Sequence, residues 1–261
     1  MYAFTHHAAT SVADAVKSVG EGKFLAGGHT LIPTMKQRLA QPGHLVDLNK
    51  VAELKGISDN GSVLTIKAMS RHAEVEASDV VRRAVPGLAA LAGGIGDPQV
   101  RHRGTIGGSV ANNDPVADYP AACLALGATI VTDRRRIAAD DFFQGLFTTA
   151  LEDGELITAI EFPHADKFSY AKFRNPASRY ALVGVAVARR GAQVRVAVTG
   201  AGSDGVFRWT DAESKLASNF SASALDGLTI PASGLNGDIH GSAEYRAHLI
   251  GVMAKRAVAA A

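Results

Sequence analysis

The first 56 residues alternate between helical and extended spacing of their apolar positions. One set recurs every three or four residues and predicts a helix that Ser11 caps and Gly20 ends: Val12, Ala15, Val16 and Val19. Apolar runs at 24–26 and 44–48 predict two strands. The helix predicted between them has four residues on its apolar face: Leu31, Ile32, Met35 and Leu39. This order predicts a small α/β unit with parallel strands.

The pattern becomes mixed between residues 57 and 165. Two apolar runs flank Asp59-Asn60-Gly61, which predicts a β-hairpin. Further along, the spacing predicts helices over 73–84, 88–92 and 117–126, and strands over 128–131 and 156–162. These elements predict an α+β unit.

The last third begins after a boundary near residue 165. Its pattern predicts strands over 169–174, 181–188 and 193–199, followed by helices over 211–218 and 242–258. The chain is therefore predicted to be α+β with three parts. These are an N-terminal α/β subdomain at 1–56, a second α+β subdomain at 57–165, and a C-terminal domain at 166–261 with a three-stranded antiparallel sheet and helices.

Composition narrows the possible classes of protein. The 261 residues are 47% hydrophobic and 20% charged, and the net charge of +2 gives no reason to expect a nucleic-acid partner. The single cysteine, Cys123, excludes an intramolecular disulfide and a self-contained iron–sulfur cluster, and its apolar neighbours predict burial. No secretory signal pattern is visible, and no run approaches the roughly 18 apolar residues of a membrane span. We expect a soluble cytoplasmic protein.

Two glycine-rich motifs are the strongest candidates for chemistry. They are Ala26-Gly27-Gly28-His29-Thr30 and Thr105-Ile106-Gly107-Gly108-Ser109. Paired glycines allow backbone N–H groups to approach a ligand and form a nest for phosphate oxygens, and a helix is predicted directly after the first motif. The two motifs together predict one large anionic ligand, such as a dinucleotide. The alternatives are an ordinary strand-to-helix connection for the first motif and a capped surface loop for the second.

A third glycine cluster, Gly200–Gly205, matches the pattern G-x-G-x-x-G after a predicted strand. In a dinucleotide site the last glycine opens a helix, whereas here Val206-Phe207-Arg208-Trp209 follows. A hairpin or strand-exit turn is therefore the favoured interpretation. Outside these motifs, Lys172 fits an ordinary surface lysine and Tyr180 an aromatic at a strand edge.

The two motifs in their full context resemble the FAD-binding medium subunits of the molybdenum hydroxylases. This family includes xanthine dehydrogenase and aerobic carbon monoxide dehydrogenase, and the resemblance is greatest to the latter branch. The matching segments run through nearly the whole chain: 24–33, 44–48, 105–109, 113–121, 154–157, 245–246 and 255–257. The resemblance implies a two-subdomain FAD-binding fold of the vanillyl-alcohol oxidase (PCMH) type, followed by a C-terminal domain with an antiparallel sheet and helices.

The resemblance also implies which residues hold the cofactor. The first pyrophosphate segment would be Leu25, Ala26, Gly27, Gly28, His29, Thr30, Leu31 and Ile32, and the second Thr105, Ile106, Gly107, Gly108 and Ser109. Polar contacts would come from Asn112, Asp114 and Asp118, and apolar neighbours would be Ile95 and Ile157. Lys172 would contact the cofactor, and Tyr180 would be the aromatic near the flavin ring. No catalytic acid–base pair and no metal ligand are expected in this chain.

The implied function is electron transfer in a complex. A large subunit would carry the molybdenum cofactor, a small subunit would carry two [2Fe-2S] clusters, and the complex would be a dimer of heterotrimers. This chain would take electrons onto FAD and pass them to an external acceptor. Two alternatives are a free-standing PCMH-type flavin oxidoreductase acting on its own substrate, and a nucleotide-binding assembly module without redox chemistry.

Overall fold

A computed structural model describes residues 1–261, and its first sheet contains three parallel strands. These are β1 (Thr5–Ala8), β2 (Lys23–Leu25) and β3 (His44–Asp47), in the order β1-β3-β2. Helix α1 (Val12–Val19) connects β1 to β2, and α2 (Leu31–Lys36) connects β2 to β3. The parallel α/β arrangement expected for this segment is confirmed.

The ends of these two helices follow local chemistry. The Ser11 side chain accepts a hydrogen bond from the Asp14 N–H at 3.0 Å and caps α1, as predicted. Helix α2 ends earlier than expected, because Arg38 has a φ of +62° and turns the chain away. Leu39 therefore lies outside the helix and is 75% exposed, so its assignment to the apolar face was wrong.

The second sheet is antiparallel and has five strands in the order β4-β5-β10-β6-β7. The predicted hairpin is present as β4 (Ile57–Asp59) and β5 (Val63–Lys67). The remaining strands of this sheet are β6 (Thr129–Thr132), β7 (Arg136–Ala138) and β10 (Ile157–Pro163). A small separate hairpin is formed by β8 (Phe143–Gly145) and β9 (Thr148–Thr149).

Seven short helices lie between the strands of this sheet in sequence. They are α3 (His72–Ala77), α4 (Asp79–Ala84), α5 (Pro86–Gly93), α6 (Pro98–Arg103), α7 (Ile106–Asn112), α8 (Tyr119–Leu126) and α9 (Ala139–Phe142). One helix was expected over 73–84, but two are present. Ser78 interrupts it with extended dihedral angles, and its hydroxyl accepts from the Val81 N–H to begin α4.

The third sheet is antiparallel and has four strands rather than the three expected. The expected strands are β11 (Lys167–Arg174), β12 (Ala181–Arg190) and β13 (Gln193–Thr199). The fourth, β14 (Phe207–Arg208), is too short to produce an alternating pattern. It pairs antiparallel with β13, so the cluster Gly200–Gly205 is the hairpin connection that we favoured over a dinucleotide site.

The C-terminal helices and α8 all pack on the third sheet through apolar side chains. Helices α10 (Thr210–Ser218) and α11 (Ala243–Ala260) pack on the third sheet. All eight residues of α8 are buried, including Cys123, because α8 also packs against β12 and β13. No helix combines the length and apolar character needed to cross a membrane.

Candidate functional site

The first glycine motif connects the end of β2 to the start of α2. Five consecutive backbone N–H groups here, from Gly27 to Leu31, donate to no acceptor in the protein. Gly28 has a φ of +71°, a conformation that favours glycine. These amides can bond only to solvent or to a ligand, and α2 begins directly behind them. The arrangement is suited to an anion.

The second glycine motif is the first turn of α7 rather than a loop. The Thr105 hydroxyl caps this helix by accepting from the Gly108 N–H at 3.2 Å. The next amides also have partners, since Ile106 N–H donates to the Ser70 carbonyl at 3.0 Å and Gly107 N–H to the Ala68 carbonyl at 2.9 Å. The nest of free amides expected at both motifs is therefore present only at the first.

The two motifs nevertheless lie against each other. A Cβ on Gly108 would lie 3.7 Å from the Ala26 Cβ, which is ordinary contact distance. A Cβ on Gly27 would collide with the Arg103 carbonyl oxygen at the end of α6. Because neither position has a side chain, the turn after β2 packs directly on the connection between α6 and α7. The second motif thus forms a wall beside the free amides of the first.

A buried ion pair connects α8 to the third sheet. Lys172 Nζ donates to Asp118 Oδ2 at 2.9 Å, and the side chains are 5% and 4% exposed. The Tyr170 hydroxyl donates to the other oxygen, Oδ1. Burial raises the pKa of the Asp118 carboxyl, while the Lys172 ammonium opposes that rise. Lys172 is therefore not the surface lysine that its strand position alone suggested, and Asp118 does not cap α8.

Comparison with known proteins identifies the family. The profile described as the FAD binding domain in molybdopterin dehydrogenase matches residues 2–165. The chain belongs to this family of FAD-binding medium subunits. It is 36% identical to the carbon monoxide dehydrogenase medium chain of Hydrogenophaga pseudoflava over 99% of this chain and 96% of that protein. It is 35% identical to the nicotine 6-hydroxylase medium subunit of Paenarthrobacter nicotinovorans, over 94% and 91%.

Solved structures agree with the family assignment. Carbon monoxide dehydrogenase from Oligotropha carboxidovorans matches with a TM-score of 0.88 and 36% identity, over 99% of this chain and 98% of that one. Quinoline 2-oxidoreductase from Pseudomonas putida 86 matches with a TM-score of 0.89 and 29% identity, over 100% and 97%. The predicted family and fold class are confirmed. The chain is therefore an FAD-dependent oxidoreductase subunit.

The glycine motifs of this family member fit the pyrophosphate of FAD. The five free amides are donors for phosphate oxygens, and neither 25–32 nor 105–109 contains a carboxylate that would repel them. The surface between Ala26 and Gly108 lacks bulky side chains, so a backbone-bound group can approach closely. Ser109, in the first turn of α7, adds a hydroxyl group.

The other expected FAD contacts lie in different environments. Asp114 accepts from the Val116 N–H at 3.0 Å, and partial burial raises its pKa. Tyr180 is 52% exposed, and the pKa of its hydroxyl is raised by burial and by the carboxylates of Asp114 and Asp118. Asn112 is the half-buried last residue of α7. Ile95 is half-buried after α5, whereas Ile157 is buried in the core at the start of β10.

Three polar features of this site were not in the expected set. The Gly94 carbonyl accepts from Lys172 Nζ at 3.3 Å, and Tyr170 holds Asp118. Asn113, in the left-handed conformation after α7, donates from its side chain to the Gly145 and Thr148 carbonyls and anchors the β8–β9 hairpin. Only Tyr170 had a local signal, since it lies two residues before Lys172 in a strand and shares its face.

Proposed function

We propose that this chain is the FAD-carrying, electron-transferring subunit of a heterotrimeric molybdenum-containing dehydrogenase or hydroxylase. It takes electrons from [2Fe-2S] clusters of a small partner subunit and passes them to an external acceptor. Bound FAD supplies the two-electron and one-electron chemistry, and the chain binds, orients and tunes it. The relatives are named as medium chains or medium subunits, which supports the proposal that partner subunits carry the other cofactors.

The observation that carries the proposal is the row of unpaired amides from Gly27 to Leu31, bordered by Gly108. The pyrophosphate would bind to these amides, where the N-terminal end of α2 also favours negative charge. The expected contacts with the rest of FAD remain those named from sequence. Ser109, Asp114 and Asp118 would bind polar groups, and Ile95 and Ile157 would supply apolar neighbours.

Lys172 and Tyr180 would act toward the flavin end of the cofactor. The Lys172 ammonium is fixed by Asp118 and by the Gly94 carbonyl, so it offers a positive charge at one location. Tyr180 offers an exposed aromatic ring close to the carboxylates of Asp114 and Asp118. Both side chains would orient the ring system and exclude water from one side of it.

The first experiment is to purify the full chain gently, denature it and record the visible spectrum of the released small molecule. Stoichiometric FAD is the expected result, and a chain that neither retains FAD nor binds it on titration refutes the proposal. The second experiment is co-purification with the large and small subunits. Electrons should reach FAD only when the reduced iron–sulfur subunit is present. A chain that reduces its FAD with its own organic substrate would instead be a free-standing oxidoreductase.

The remaining parts of the proposal concern organisation. We infer domains at 1–56, 57–165 and 166–261, and each of the three main sheets takes all its strands from one of these segments. We further propose a dimer of heterotrimers with a large molybdopterin-binding subunit and a small iron–sulfur subunit, located in the cytoplasm. Mass measurement of the intact complex tests the dimer of heterotrimers, and cell fractionation tests the location.

A further inference from the structure

The Tyr170 hydroxyl belongs to neither glycine motif, yet it contacts the carboxylate that holds Lys172. It donates to Asp118 Oδ1, while Lys172 Nζ donates to Oδ2 at 2.9 Å. Tyr170 and Lys172 are two residues apart in β11 and therefore share one face of the strand. Each carboxylate oxygen thus has a donor from the same strand, and the two donors together set the orientation of Asp118.

Gly184 provides the space for this tyrosine. It is the partner of Lys172 in the β11–β12 register and lies in the middle of a ten-residue strand. A Cβ at this position would overlap the Tyr170 hydroxyl and lie 2.8 Å from the ring carbon that carries it. Glycine weakens a strand interior, so its presence here is explained by the close approach of the Tyr170 side chain.

Lys172 retains donor capacity beyond its pairing with Asp118. Its second hydrogen bond, to the Gly94 carbonyl, is 3.3 Å long, and an ammonium group has a third N–H. An Arg174 guanidinium nitrogen lies 3.4 Å from where a Gly94 Cβ would be, so a second positive charge is nearby. Gly94 directly precedes Ile95, which we expect beside the cofactor. The positive charge of Lys172 and Arg174 is therefore concentrated beside Gly94 and Ile95, where we expect the flavin end of the cofactor.

We propose that Tyr170 is a positioning residue of the FAD site, acting through Asp118 to fix the Lys172 ammonium toward the flavin. Because Tyr170 occupies Oδ1, only Oδ2 is available to the lysine. Without the hydroxyl, the ammonium can move between the two oxygens, and the carboxylate with one donor fewer attracts it more strongly. Charge near the flavin nitrogens tunes the cofactor, so the consequence reaches its reduction potential. This inference rests on the proposed function.

The test compares the full chain with its Tyr170→Phe variant, which removes one oxygen and keeps the ring. The FAD dissociation constant of the variant should rise by up to about tenfold, because a Lys172 ammonium that is less firmly fixed loses part of its interaction with FAD. The midpoint potential of the bound FAD should become more negative, because the positive charge is drawn toward Asp118. Tyr2→Phe is the matched control, since Tyr2 is exposed and stacks on Arg38 in the first subdomain.

A second variant, Gly184→Ala, tests the same contact from β12. Its Cβ displaces the Tyr170 hydroxyl, so it should shift the potential in the same direction as Tyr170→Phe. An unchanged potential in Tyr170→Phe overturns the inference, whether or not FAD affinity or thermal stability falls, because those changes alone indicate a structural role. If the wild-type chain binds no FAD, the proposed function fails instead, and the two failures are therefore distinguishable.

Discussion

Gly108 and Ala26 lie side by side although 82 positions separate them, with 3.7 Å between the Ala26 Cβ and the place of a Gly108 Cβ. This contact joins the two glycine motifs into one surface. The free amides belong to the first motif, whereas the second contributes a surface without bulky side chains at Gly108 and a helix in which the amides of residues 106–108 are paired. The two motifs therefore differ in geometry, although the sequence predicted a nest of N–H groups at both.

Gly28→Ala tests the first motif. The substitution forces an alanine into a φ of +71°, which costs about 1 kcal/mol, and disturbs the amides on either side. We expect FAD affinity to fall at least about tenfold. Gly227→Ala is the control for the backbone strain alone, because Gly227 has a φ of +73° and no neighbour within 4 Å of its Cβ position, whereas a Cβ on Gly28 would lie 3.1 Å from the Ile32 side chain. Fluorescence titration with FAD should separate the variants, and equal affinities would contradict the assignment.

Gly108→Ala tests the second motif within a helix. Its Cβ would lie 2.9 Å from the Thr105 Oγ1, so either the cap or the wall beside Ala26 must shift. Gly251→Ala in α11 is the control, since nothing lies within 4 Å of its Cβ. The control should gain up to about 1 kcal/mol from helix propensity and keep wild-type FAD affinity. Calorimetric titration should detect weaker FAD binding in Gly108→Ala alone.

Lys172→Met tests the buried ion pair. Removing the ammonium leaves the Asp118 carboxylate buried with only the Tyr170 hydroxyl, and we expect a loss of about 3–5 kcal/mol in the free energy of unfolding. Adding Asp118→Asn removes that uncompensated charge and should restore most of the stability, but it should not restore FAD affinity. Urea unfolding and FAD titration measure the two quantities separately. Recovery of affinity in the double variant would exclude a direct contribution from Lys172.

The buried His72 should make stability depend on pH. Burial lowers the pKa of its imidazole from 6.5 to about 4, and positive charge at His29 and Arg101 adds to the effect. The folded state therefore binds fewer protons than the unfolded state between these values. The contribution of His72 to the free energy of unfolding is fully present above pH 6.5 and is lost as the pH is lowered toward 4. The loss is about 3 kcal/mol for a shift of this size.

The His72→Gln variant isolates this contribution. Glutamine does not titrate, so the variant should lose that part of the pH dependence between 6.5 and 4, whatever constant change in stability the substitution causes. Denaturant unfolding of both proteins across this range gives the difference. Parallel profiles for the wild type and the variant would show that His72 does not titrate as its burial indicates.

Some parts of the fold were predictable because their determinants lie within a few residues. Ser11 begins α1, the turn Asp59-Asn60-Gly61 joins β4 to β5, and residues 206–209 after the third glycine cluster rule out a helix there. The errors also have local causes. Ser78 divides one expected helix into two, and the backbone of Arg38 ends α2 before Leu39.

The site could be predicted only in part. The first motif was recognisable because β2, the glycines and α2 are consecutive. The pairing of the Ile106 and Gly107 amides was not, because their acceptors are the carbonyls of Ser70 and Ala68, which no spacing rule connects to the motif. Gly184 was missed for a similar reason, since its contact with Tyr170 depends on the register between β11 and β12.

Sequence alone determined the family, the order of most helices and strands, and the glycines that allow a cofactor to approach the backbone. The family followed from the resemblance of the two glycine motifs in their context, whereas the order of the elements follows from side-chain spacing over short stretches. Only the tertiary structure decided which amides stay free, that Asp118 binds Lys172 rather than capping α8, and that Tyr170 shares the same carboxylate. The free amides depend on how the turn after β2 packs against the α6–α7 connection, and the contacts of Asp118 depend on how α8 packs against the third sheet. The energy of a buried charge in turn depends on all the groups around it.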